Sequence, residues 1–168
     1  MAELWDIYDK NRCKTGKYIE RGQPMNEDEY HLVVSAWITN SKGEWLIIRR
    51  AESKSYPLKW EAPGGSVLAG EDSELGALRE VKEEIGITLD SGELFQSYRR
   101  DKPSWENPGF LDVWVLKADI LIEDVKLQKE EVCDIKWATK EEILKMIETD
   151  DFVPMKEFPY YKDLFQSY

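Results

Sequence analysis

GSVLAGEDSELGALREVKEEIGI, residues 65–87, is the stretch on which the reading of this chain turns. At about 100° per residue its second half separates into two faces. Leu75, Leu78, Val81 and Ile85 fall on one side, where they would pack on a sheet; Glu80, Glu83 and Glu84 fall on the other. The spacing predicts a helix over 72–85, closed by Gly86 at the position where helices end. Carboxylates at i, i+3 and i+4 come within reach of shared cations, and three like charges so close need compensation. Magnesium and manganese prefer oxygen ligands of this kind. Taken alone, a Glu-rich face with Arg79 and Lys82 beside it reads as an ordinary solvated surface. The loop before it changes that reading. Gly64 and Gly65, after Pro63, allow the backbone to come close to a ligand, with a carbonyl turned to a metal. Glu71 stands at the loop-to-helix turn, where it can meet Arg79.

Counted from Gly65, the chain runs five residues to Glu71, seven more to Arg79, then Arg79-Glu80-Val81-Lys82-Glu83-Glu84-Ile85-Gly86-Ile87. This resembles the Nudix box, G-x5-E-x7-R-E-U-x-E-E-x-G-U with U apolar, and every fixed position is filled. The resemblance covers about 31–143. It implies a Nudix-like α/β/α sandwich with a mixed β-sheet. It also implies a metal-dependent hydrolase that cleaves a diphosphate linkage, in a nucleoside diphosphate derivative or related organic diphosphate, by water attack at phosphorus. In the resembled family the pair matching Glu71 and Arg79 is structural. Carboxylates matching Glu80, Glu83 and Glu84, with the carbonyl matching Gly64, hold Mg2+ or Mn2+. Family members differ over the general base. It lies in the box, matching Glu80, or in a later loop, where Glu130 and Glu131 stand and Glu131 is preferred. The catalytic set is thus Glu80, Glu83 and Glu131.

Outward from the box, strands are predicted over 31–39, 44–50, 93–100, 110–120 and 132–137, the first two joined as a hairpin through the turn at 40–43. A helix begins after Thr139, with Glu142 completing a capping box, and 157–165 reads as a final short helix. Residues 11–29 are polar, an irregular or hairpin lead-in. Strands interspersed with helices give an α/β (α+β) chain with helices on both faces of a mixed sheet. A single domain over 1–168 is expected: a lead-in to 29, a core over 30–147 and a tail over 148–168.

The 168 residues carry a net charge of −11, and no stretch is basic enough to track a nucleic-acid polymer. The longest apolar runs are strand-sized, so no membrane span is expected. The first residues have neither a basic region nor an apolar signal core, which points to a cytoplasmic protein. Cys13 and Cys133 have no metal-site spacing and read as free thiols. An acidic protein acting on a small-molecule diphosphate needs local positive charge. Divalent metals supply part of it, and Arg49, Arg50 and Arg100 are the candidate phosphate contacts, with Trp105 placed to stack on a base. His31, the single histidine, reads as a strand-end packing residue. Homodimers are common among similar proteins.

Two rivals stand beside the hydrolase. Residues 3–9 and the Tyr30-His31 strand start are similar to the isopentenyl-diphosphate isomerase branch. That branch uses a cysteine and a metal-binding histidine just after the tryptophan matching Trp60, and residues 60–67 contain neither. The other rival is a catalytically silent nucleotide-binding module, which would normally have lost box carboxylates that are all present here.

Overall fold

The structure, a computed structural model, describes residues 1–101, 107–155 and 158–168. Period-two alternation in the longest strands sets the architecture. In β3 (His31–Thr39) Leu32, Val34, Ala36 and Ile38 face one core while Val33 and Trp37 face the other. β4 (Trp45–Arg50) divides in the same way, Leu46 and Ile48 against Trp45 and Ile47. The sheet is therefore buried on both faces, as the α/β/α reading requires. α1 (Ser73–Ile85) covers one face with Ala77, Val81 and Ile85. α2 (Lys140–Glu148) and α3 (Tyr160–Ser167) cover the other with Ile143, Ile147, Leu164 and Phe165.

Among the described residues, seven strands make the main sheet. β3 runs parallel to β8 (Gly109–Lys117), and every other pairing is antiparallel. β7 (Glu93–Arg100) lies beyond β8, and β9 (Val132–Ala138) lies along β4. The predicted β3–β4 hairpin pairs only at Ile38↔Leu46 and Thr39↔Trp45. Past that point the two strands splay, because two short strands insert between them. β5 (Trp60–Glu61) takes Ile48 and Arg49, and β6 (Gly64–Ser66) takes Val33–Ser35. Neither is among the strands predicted from the sequence. They are too short to show a period, and they form because β3 and β4 leave unpaired edges that need hydrogen-bond partners.

The lead-in is a hairpin, β1 (Leu4–Tyr8) with β2 (Lys14–Glu20). It is fastened to the main sheet by reciprocal backbone bonds of 2.8 and 2.9 Å between Tyr8 and Tyr30. Arg12 reaches across to Asp112, which is fully buried and also accepts from Ser73 and Ser97. Burial opposes ionisation of Asp112, but these donors outweigh it and hold the carboxyl below its ordinary range. One helix expectation is corrected. Leu75 does not pack on the sheet: it is 52% exposed, and Gly76 and Ala77 take the inner position. Val67 leaves no room beside Gly76 for a Cβ, so the helix packs closely there, and at about 100° per residue Leu75 lies well round the helix from Ala77 and Val81. The predicted C-terminal helix starts at Tyr160, and Glu157 lies outside the described residues.

His31 packs at the strand end as expected. Its ring stacks on Trp5 at 4.5 Å between centroids, and Nδ1 lies 3.1 Å from the Pro108 carbonyl oxygen. Burial brings its pKa down to about 4, from 6.5. The unfolded chain therefore takes up a proton at higher pH than the native one. Stability from this site is complete above pH 6.5 and is lost as pH falls toward 4. Between pH 7 and 4.5 the loss should be about 2–3 kcal/mol. Urea unfolding of the wild type and of His31→Gln at the two pH values measures it: the variant should lose that much less on acidification, and an equal loss in both would contradict the assignment.

Candidate active site

Helix α1 is delimited by its own sequence. Asp72 caps it by accepting from the Leu75 N–H at 2.8 Å, and Gly86, at φ 72°, ends it with a bond to the Lys82 carbonyl. Between these caps Arg79 organises the preceding loop. Its Nε donates to Glu71 at 2.8 Å and its Nη2 to the Ser66 carbonyl at 2.9 Å, while Glu71 accepts from the Leu68 N–H. Nη1 of Arg79 also meets one oxygen each of Glu80, at 2.9 Å, and Glu83, at 3.1 Å. Burial works against the guanidinium charge, yet Glu71 and Glu80 raise its pKa above the ordinary value.

The box carboxylates differ sharply in setting. Glu83 is half-exposed, at 50% for its side chain. Glu80 lies against the Gly65 backbone, where a Cβ would come within 2.5 Å of its carboxylate. Glu84 is buried and accepts from the Gly64 N–H at 3.0 Å. Burial, followed by the nearby charges of Glu61 and Glu80, pushes its pKa well above the ordinary range; Gly64 opposes this and Glu131 adds to it. Burial also raises Glu80 and Glu61, against the pull of Arg79 and Arg50 respectively. Among the described residues no three metal-ligating side chains converge into a finished cage. The donor chemistry nonetheless suits a hard divalent cation, because Glu80, Glu83 and Glu84 line one cleft and carry more negative charge than Arg79 offsets.

These groups line a cleft of about 910 Å³ together with Glu61, Arg100, Gln128 and Glu131. It opens into an adjoining cavity of about 290 Å³, which shares Arg50, Glu61 and Arg100 and adds apolar walls from Trp37, Leu111 and Phe152. Glu61 was missed by sequence reading. It follows the buried Trp60, so strand alternation alone turns it to the opposite side. Its partner Arg50 donates at 2.7 Å, and Nε of Arg50 also donates to the Ser55 carbonyl at 2.5 Å. Lys54 pairs with Glu131. Arg49 turns away from the cleft: it donates to the Leu58 carbonyl and lies over the Trp60 ring. Arg100 is half-buried, and burial takes its pKa down to about 10. Trp105 lies outside the described residues.

The sequence profile of the NUDIX domain matches residues 29–158, which takes in the whole cleft except the β1–β2 hairpin. The chain belongs to the Nudix family. It is 40% identical to an uncharacterized Nudix hydrolase of Listeria monocytogenes, over 90% of this chain and 89% of that one. The crystal structure of a MutT protein from Methanosarcina mazei is 30% identical with a TM-score of 0.64, covering 87% of this chain and 94% of that one. Nudix hydrolases generally split pyrophosphate linkages in small molecules with the help of divalent metals. Isopentenyl-diphosphate Delta-isomerase of Shigella flexneri is 30% identical over 70% of this chain. The isomerase reading is not favoured, since residues 60–67 supply no cysteine or histidine. No helix among the described residues is long and apolar enough to cross a membrane.

Proposed function

We propose that this Nudix hydrolase cleaves the diphosphate of a nucleoside diphosphate derivative or related organic diphosphate by water attack at phosphorus, with Mg2+ or Mn2+ held by Glu80, Glu83, Glu84 and the Gly64 carbonyl. The observation that carries this is the concentration of carboxylates around Glu84, whose mutual repulsion a cation would relieve. A divalent ion held there supplies charge neutralisation of the diphosphate and activation of a water.

The chain's own groups do the rest. Arg79 fixes the loop through Glu71 and Ser66, so that the Gly64 and Gly65 backbone meets the substrate at a set distance. Glu131, which lines the same cleft as the box acids, takes the proton of the attacking water, and Lys54 orients it. Glu80 is the second candidate base, because burial already raises its proton affinity. Arg50 and Arg100 face the cleft and are proposed to contact phosphate, a role the geometry supports less well for Arg49. The organic part of the substrate extends into the adjoining 290 Å³ cavity. The protein is proposed to act in the cytoplasm.

A panel of nucleoside diphosphate sugars, dinucleotides, nucleoside triphosphates and isoprenoid diphosphates, incubated with Mg2+ or Mn2+, tests the reading. Metal-dependent cleavage at the diphosphate of at least one member is expected, abolished by EDTA. Tight binding of a nucleotide without turnover would instead make the protein a silent binding module.

A further inference from the structure

Four cations line the main cleft among the described residues: Arg21, Arg50, Lys54 and Arg100. Three are fixed by the fold. Arg50 is bound to Glu61 and to Ser55, Lys54 to Glu131, and Arg100 is half-buried at the end of β7 with its Nε out of solvent. Arg21 is held differently. Its side chain forms an ion pair with Glu3 at 2.9 Å, and the two side chains are 55% and 45% exposed. An exposed pair of this kind contributes little and is readily exchanged for a stronger partner.

The backbone that carries Arg21 is nevertheless firmly placed. Arg21 follows β2, and its own N–H donates to the Glu3 carbonyl at 2.9 Å. The hairpin is fastened to the box loop itself: Ala69 N–H donates to the Leu4 carbonyl at 2.8 Å, and Gly70 N–H to Asp6 Oδ2 at 2.9 Å. Trp5 on β1 stacks against His31. The base of the hairpin, at Glu3 and Arg21, thus lines the cleft together with Glu80 and Glu83, although it precedes the part of the chain that the NUDIX profile matches.

We infer that this hairpin is part of the substrate site, and that Arg21 leaves Glu3 to bind the diphosphate of the bound substrate. A guanidinium offers paired donors that suit phosphate oxygens. A cation with a weak resting partner on a fixed backbone gains most from such a ligand, because only the side chain has to be ordered. Glu3 then keeps Arg21 from falling onto the box carboxylates while the cleft is empty of substrate. The inference rests on reading the cleft as a diphosphate site.

Calorimetric titration of the full chain with imidodiphosphate, in the presence of Mg2+, separates the two ideas. Arg21→Ala should weaken binding about tenfold, equivalent to about 1.4 kcal/mol, and Arg21→Lys should recover part of it. Lys17→Ala, on the same hairpin but outside the cleft's lining residues, should match the wild type. If the wild type binds, Glu83→Gln loses binding and Arg21→Ala stays within twofold of wild type, the role of Arg21 is overturned while the diphosphate site stands. If the wild type does not bind the probe with Mg2+, both fall.

Discussion

Replacing Glu84 by glutamine is expected to lower turnover about a hundredfold or more and, at the same time, to stabilise the metal-free protein. Both effects have one cause. Glu84 is 6% exposed and faces the charges of Glu61, Glu80 and Glu131, with the Gly64 N–H as its compensating donor. Its proton affinity is raised in the native state, so the folded protein binds more protons than the unfolded one above the ordinary glutamate value. The stability cost of the ionised group is therefore absent at low pH and grows as pH rises through the raised pKa. Glutamine keeps an oxygen for Gly64 and removes the charge. Thermal unfolding in EDTA should show Glu84→Gln melting above the wild type at pH 8, with the difference shrinking toward pH 4.5. Adding Mg2+ should raise the wild-type midpoint and leave the variant nearly unmoved. A folded variant with near-normal turnover would remove Glu84 from the site.

Arg79→Ala should damage stability and activity together. The substitution deletes bonds to Glu71, Glu80, Glu83 and the Ser66 carbonyl at once. Glu71 and Glu80, with side chains 16% and 14% exposed, are then left without their main counterion. Breaking a fully buried pair costs about 3–5 kcal/mol, and the partial exposure here brings that to about 2–4 kcal/mol. For a chain of this size the melting temperature should fall by roughly 5–15 °C. Turnover falls as well, since the Ser66–Glu71 loop that sets the Gly64–Gly65 backbone is no longer tied to the helix. An unchanged melting temperature would contradict the structural role given to the pair.

The long elements were legible because their patterns exceed the noise of composition. The 31–39 and 93–100 strands and the Thr139–Glu142 cap agree with the structure to the residue. Short elements were not legible: β5 and β6 exist through edges offered by distant strands, which no local pattern records. Helical spacing separated the acids from Val81 and Ile85 on α1, but it did not show that Ala77 rather than Leu75 takes the inner face. The box acids were identifiable because their order is fixed in sequence. Glu61 and Arg21 reach the same cleft from β5 and from the lead-in hairpin, and only the fold brings them there. Arg49 and Arg50 are adjacent and chemically alike, yet strand alternation sends one over Trp60 and the other to Glu61.

A crystal of the full chain soaked with Mn2+ and imidodiphosphate tests the central claim most directly, since manganese can be located by its anomalous scattering. Manganese should be held by the carboxylates of Glu80, Glu83 and Glu84, beside the diphosphate. Manganese bound elsewhere, with Glu80 and Glu83 still on Arg79 and Glu84 still on Gly64 alone, would contradict it.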